Sequence, residues 1–171
     1  MSLPVRLSHY DPSWRQEFEQ TRSSILMSCS GWVQSVEHIG GTAIPGLIAQ
    51  AIVDCVAGVV APEGLEAAST AIEGLNYRRE KLPTWVDDGI LFTKPRHGPT
   101  THRIFLTRID SPLWSRVLRV RDWLREHPEV AYRFEDAKVK QWKAAGGDPC
   151  RYAHAKAIFF AHLEDQIHTT G

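Results

Sequence analysis

Cysteine is scarce in this chain, and charge of either sign in excess is absent. Only three cysteines, Cys29, Cys55 and Cys150, occur in 171 residues. Their wide spacing forms neither a zinc pattern nor a disulfide framework, and predicts a reducing, cytoplasmic compartment. Lys plus Arg total 20 and Asp plus Glu total 20, so no basic surplus marks a surface that tracks a long nucleic acid. A mononucleotide or another small anion stays open, because a few donors can hold one. No apolar run reaches the length of a membrane span, which predicts no membrane partner. The N-terminus lacks the basic and apolar regions of a secretory signal, and no repeat or low-complexity segment occurs. What is present is a 43% hydrophobic, 23% charged composition, typical of a folded chain. The length predicts one domain over residues 1–171.

The pattern along the chain predicts a mixed α/β (α+β) architecture. An extended arm ends at Asp11, a suitable N-cap, followed by Pro12 at the first helical position. Trp14, Phe18, Ile25 and Cys29 recur at helical spacing, so a helix runs to about residue 30, where Gly31 stops it. A strand over residues 32–39 leads to a short helical turn within 42–48, limited by Pro45 and Gly46. Residues 51–60 are nearly all apolar and Val-rich, the mark of a strand buried on both faces. A helix follows over 62–75. Residues 89–94 and 100–109 read as a hairpin joined by Pro95-Arg96-His97-Gly98-Pro99. The last third reads as three helices: Ser111-Pro112 to about Glu126, Pro128 to about Ala144, and Asp148-Pro149 to about Ile167. Strands first and helices last imply a mixed sheet covered by helices.

Chemistry concentrates in the stretch from Glu37 to Leu47 and the strand after it. Gly40-Gly41-Thr42 is either a tight turn or a place where successive amides point at one anion. Asp54 is the only acid or base, histidine aside, between Glu37 and Glu63. A carboxylate inside an apolar strand is costly unless it is paired, hydrogen-bonded or on a metal, so it is a catalytic candidate or a structural anchor. A second acid two residues along would share its face, but that position is Val56. His102 is a candidate acid/base or metal ligand near Asp54, or a hydrogen-bonded, half-buried histidine. Lys94 and Arg103 are candidate phosphate ligands, while Arg96 reads as an ordinary solvated charge. Tyr152 and Lys156 share one helical face with Phe159, which directs Lys156 into a cleft or along the surface.

These motifs together resemble the GrpB-like family of the nucleotidyltransferase superfamily, along nearly the whole chain. The family's Tyr-Asp-Pro-x-Trp opening matches Tyr10 to Trp14. Its His-Ile-Gly-Ser-Thr-Ala-Val-Pro-Gly-Leu matches His38 to Leu47, with Gly41 where serine is usual. Its Ala-Lys-Pro-Ile-Ile-Asp matches Ala49 to Asp54, with Gln50 and Ala51 for lysine and proline. Its Thr-His-His-Leu-His matches Thr101 to Phe105 and keeps one histidine of three. Its Arg-Asp-x-Leu-Arg-x-His-Pro matches Arg121 to Pro128; Lys138 and the Tyr152 to Phe159 spacing also fit.

The resemblance implies a nucleotidyltransferase-like mixed sheet with a helical C-terminal third, and leaves three functions open. The first is Mg²⁺-dependent nucleotidyl or phosphoryl transfer, with Asp54 and His102 on the metal and the glycine turn and Arg103 on phosphate. The second is a metal-free enzyme with Asp54 and His102 as acid/base pair, Arg103 and Lys156 orienting an anionic substrate, and Trp85 and Phe105 as an apolar wall. The third is a non-catalytic module that binds a nucleotide, a CoA-like ligand or a partner protein.

Overall fold

In the computed structural model, which describes residues 6–146, 148, 164 and 167 (side chains at 134 and 135 excepted), the buried strand expected over residues 51–60 forms as Val53–Val59, second in a five-stranded sheet. Five strands, β1 (Val33–Ile39), β2 (Val53–Val59), β3 (Arg78–Glu80), β4 (Ile90–Lys94) and β5 (His102–Arg108), form one sheet in the order β1-β2-β5-β4-β3. β2 pairs with β5 in parallel, and the other three pairings are antiparallel. Every residue of β2 is buried, as a strand covered on both faces must be.

Helix α1 (Ser13–Ser28) and helix α2 (Gly64–Glu73) cover one face. Trp14, Phe18, Ile25 and Cys29 of the N-terminal segment, with Ala68 and Ile72 of α2, pack on Val53, Cys55, Ala57 and Val59 of β2. Asp11 caps α1 as expected, its Oδ1 accepting the Ser13 amide at 2.9 Å. The opposite face carries Val56, Leu91 and Phe105, covered by Leu113, Trp114, Val117 and Leu118 of α3 (Pro112–Glu126) and by Trp85 and Val86. α3 comes so close to β2 that a Cβ on Gly58 would lie 2.9 Å from Trp114. Ser111 caps α3 by accepting the Trp114 amide. α4 (Pro128–Ala144) then packs with α3 over Ile44 and Leu47, residues just beyond β1.

Two expectations need amendment. The turn expected within residues 42–48 is a single 3-10 turn, Gly41–Ala43. β3 was not foreseen: its Arg-Arg-Glu sequence has no apolar alternation and is exposed throughout. It exists because β4 offers a free edge, and charges on an edge strand are normal. The helix expected from residue 148 onward, with Tyr152, Lys156 and Phe159, lies outside the described residues, apart from Glu164 and Ile167, which are helical.

The bend between β1 and the 3-10 turn rests on Gly40, whose φ of 74° and ψ of −171° belong to a region that side chains rarely enter. A Cβ there would also lie 2.8 Å from Asp54 Oδ2. Gly31 has a positive φ of 89° too, but open space around it. Gly40→Ala is therefore expected to cost of order 3 kcal/mol and Gly31→Ala about 1 kcal/mol, to be read from urea midpoints. Equal losses at the two sites would remove the close approach of Asp54 from the explanation.

Candidate functional site

Strand pairing decides which side chains meet. In register, Ile39, Asp54, Arg103, Thr93 and Arg78 stand side by side across all five strands. Directly paired residues share a face, and neighbours along a strand alternate. Asp54 and Arg103 therefore project together toward the α3 side, with Phe105 one step along the same face.

Asp54 and Arg103 form a two-bonded ion pair, with Arg103 Nε 2.6 Å from Oδ1 and Nη2 3.0 Å from Oδ2. The Asp54 side chain is only 12% exposed and that of Arg103 29%. Burial alone would lower the affinity of Arg103 for its proton; the charge of Asp54 and its hydrogen bonds outweigh this and hold the guanidinium above its ordinary value. Nη1 of Arg103 has no partner among the described residues and is the free edge of the pair.

Beside this pair, the turn is held from both sides. Thr42 Oγ1 donates to the Ile52 carbonyl at 3.1 Å and so accepts from His38 Nε2 at 2.9 Å, which fixes the proton of His38 on Nε2. His38 stacks on Phe18 at 4.7 Å. Burial lowers its pKa to about 4; Asp54 opposes that shift, while Arg125 and Arg121 add to it. From α3, Arg121 donates to Glu37 at 2.7 Å and to the His38 carbonyl at 3.2 Å, and Arg125 donates to the Ala43 carbonyl at 3.0 Å. From α4, Lys138 donates to the Ile48 carbonyl at 3.0 Å. The turn's own bonds run from the Ala43 amide to Gly40 and from the Ile44 amide to Gly41. The amides of Gly41 and Thr42 lie outside them. A Cβ on Gly41 would sit 2.9 Å from the Ala49 Cβ and 3.0 Å from Lys138 Nζ, so this chain is packed for glycine at that position.

The structure pairs Asp54 with Arg103 and sets Gly40 against Asp54; Gly41 and Thr42 follow in the same turn, Gly41 facing Ala49 and Lys138 and the Thr42 side chain facing His38 and Ile52. It does not bring His102 or Lys94 to them. His102 is paired with Val53 and Lys94, all of which point to the α1 side. There His102 and Lys94 line a cleft of about 260 Å³ with Glu17, Thr21 and Tyr77. Burial, then Lys94, holds His102 below its usual range. The expected pairing of Asp54 with His102, as acid/base couple or as joint metal ligands, is corrected on this ground: adjacent strand positions face opposite ways, and Arg103 holds the place beside Asp54. Trp85 and Phe105 do meet, at 5.4 Å between ring centroids on the Asp54 face, but Phe105 is buried in the core beneath α3 and only Trp85 is partly exposed. Arg96 is not merely solvated, since it donates to the Tyr77 and Glu73 carbonyls and ties its loop to the end of α2. Lys156 lies outside the described residues.

The donor set does not fit Mg²⁺. Both oxygens of Asp54 are engaged by Arg103, Glu37 is held by Arg121, and position 56 is valine. Among the described residues no three His, Cys, Asp or Glu side chains gather in a way that could hold a metal ion. Arg121, Arg125 and Lys138 did not stand out as site residues from their own chemistry. Their signal lay in the Arg-Asp-x-Leu-Arg-x-His-Pro motif, which places Arg121 and Arg125 one helical turn apart on one face.

A family model described as "GrpB protein" matches residues 4–166. The UPF0157 protein PA4798 of Pseudomonas aeruginosa is 32% identical over 136 residues, covering 75% of this chain; the chain spans about half of that relative, 53%. The UPF0157 protein BH1888 of Halalkalibacterium halodurans is 25% identical over 168 residues, 97% of this chain and 84% of its own length. The crystal structure of conserved protein GrpB from Enterococcus faecalis superposes with a TM-score of 0.84 at 23% identity, over 96% of this chain and 98% of that one, and shares the fold.

The neutral state of His38 has a pH signature. Above its ordinary value of 6.5 neither folded nor unfolded chain protonates it; below, the unfolded chain takes up a proton that the folded one refuses until about pH 4. Stability is expected to fall as pH drops through that window, by up to about 3 kcal/mol. His38→Gln, which still has an amide to donate to Thr42, is expected to flatten the slope in urea titrations across the same pH range. An unchanged slope in that variant would assign the pH dependence to other groups.

Proposed function

The chain belongs to the GrpB family, and from that premise we propose that it binds a small anionic ligand, a nucleotide or a CoA-like phosphate compound, at Arg103 and the Gly40-Gly41-Thr42 turn. The observation that carries this reading is the state of Arg103: locked by Asp54 along one edge, with Nη1 unengaged on the other and the side chain still partly open. A guanidinium fixed in this way meets a phosphate or carboxylate with little further ordering, which is what makes a preorganised anion site effective. The amides of Gly41 and Thr42, left out of the turn's own bonds, are further donors of that turn, and Trp85, partly exposed and packed on the buried Phe105, offers apolar surface on the same face.

Asp54 in this reading is a positioning residue. A carboxylate held by two charge-assisted bonds fixes the orientation of its partner and is poorly placed to bind a second cation or to take a proton. The reading therefore favours ligand binding, or metal-free chemistry on a bound anion, over Mg²⁺-dependent nucleotidyl transfer. The two buried thiols, Cys29 and Cys55, have no disulfide partner and suit the cytoplasmic setting proposed for it.

Calorimetric titration of the full chain with ATP, CTP, GTP and CoA tests this. At least one is expected to bind, and Arg103→Met to weaken it by about tenfold or more, the scale of one lost charge-assisted contact. Arg103→Lys is expected to recover only part of the loss, because an ammonium cannot bond Asp54 along a planar edge. No heat from any of the four ligands, or an Arg103→Met variant that is folded by circular dichroism and binds as wild type does, would refute the proposal.

A further inference from the structure

We propose that Arg103 is the resident cation beside Asp54, so that this site is closed to divalent metals and handles its anion without one. The inference deepens the ligand reading above and rests on it for the identity of the site. Its own support is the surroundings of Asp54. Both carboxylate oxygens receive an Arg103 nitrogen, at 2.6 and 3.0 Å. On the β1 side Oδ2 is crowded by Gly40, which lies so near that an added Cβ would sit 2.8 Å from that oxygen. A hydrated magnesium or manganese ion requires an open octahedral shell around it, and it would have to displace Arg103 from these oxygens to obtain one.

The neighbouring charges point the same way. Glu37, one row along the same face, is held at 2.7 Å by Arg121. Glu80, across the sheet on β3, is held at 2.7 Å by Arg78. Each of these three acids is thus already matched to an arginine, and Arg125 adds a positive charge beside the turn. A divalent ion entering here would have to displace a guanidinium from each of these acids it used. A fixed guanidinium meets the same electrostatic need, neutralising an anionic ligand, without a dissociable partner.

The test uses the full chain and two probes, Mn²⁺ and inorganic pyrophosphate. Mn²⁺ is expected to cause no paramagnetic broadening of resonances around Asp54 in the wild type and to cause it in Arg103→His, where the carboxylate is released beside an imidazole. Pyrophosphate is expected to bind the wild type in EDTA as tightly as in Mg²⁺, within about twofold, or more tightly. Broadening at Asp54 in the wild type, or pyrophosphate binding that requires Mg²⁺, would overturn the proposal. The wild-type arms decide the question even if Arg103→His does not fold. If pyrophosphate binds in neither buffer and the nucleotides and CoA also fail, the ligand reading falls, and the Mn²⁺ arm still judges whether the acid is closed to metals.

Discussion

A carboxylate set within a strand buried from end to end must be compensated where it stands, and this constraint organises the surrounding structure. Asp54 lies in the most enclosed strand of the sheet, and its compensation comes from the adjacent parallel strand, in direct register. Removing one member of such a pair leaves the other stranded in a medium that solvates charge poorly. The pair thus ties β2 to β5 by side chains as well as by the backbone ladder. Because these two strands are far apart in sequence, it also fixes the register of a crossover that no local turn could set.

The same carboxylate dictates the shape of the preceding turn. Its Oδ2 packs so closely on Gly40 that only a residue without a side chain fits, and the left-handed backbone there turns the chain from β1 into the 3-10 turn. Cations from α3 and α4 then take the turn's outward carbonyls at 38, 43 and 48. Carbonyls occupied by arginine and lysine leave the amides as the unspent polarity of the loop. That arrangement makes the loop's surroundings more favourable to negative than to positive charge.

Much of this was readable from residue order, and the reasons for success and failure are physical. The helix starts at Pro112 and Pro128 were legible because proline fixes the first helical position and removes a donor that has no use there. The fully buried β2 was legible from its unbroken apolar run. β3 was not, since a charged three-residue edge strand owes its existence to its neighbour. At the candidate site, Asp54 and the glycine turn were legible because a lone acid in an apolar strand is expensive. Its partner was not. His102 and Arg103 are adjacent in sequence and equally plausible beside an acid; only strand register, a long-range property, decides which faces it. The register also reorders the comparison with the family motif. Positions 103 and 105, where histidine has given way to arginine and phenylalanine, lie on the Asp54 face, while the histidine that remains looks toward α1.

The unforeseen edge strand has a bearing on how this molecule lives among others. Arg78 reaches Glu80, and Arg79 reaches both Glu73 and Glu66, so the rim of the sheet is studded with partnered charge. Any foreign segment seeking to extend the ladder at that border would have to strip these ions from their counter-ions and from water before gaining a single backbone bond. The rim therefore disfavours the addition of a further strand at that border.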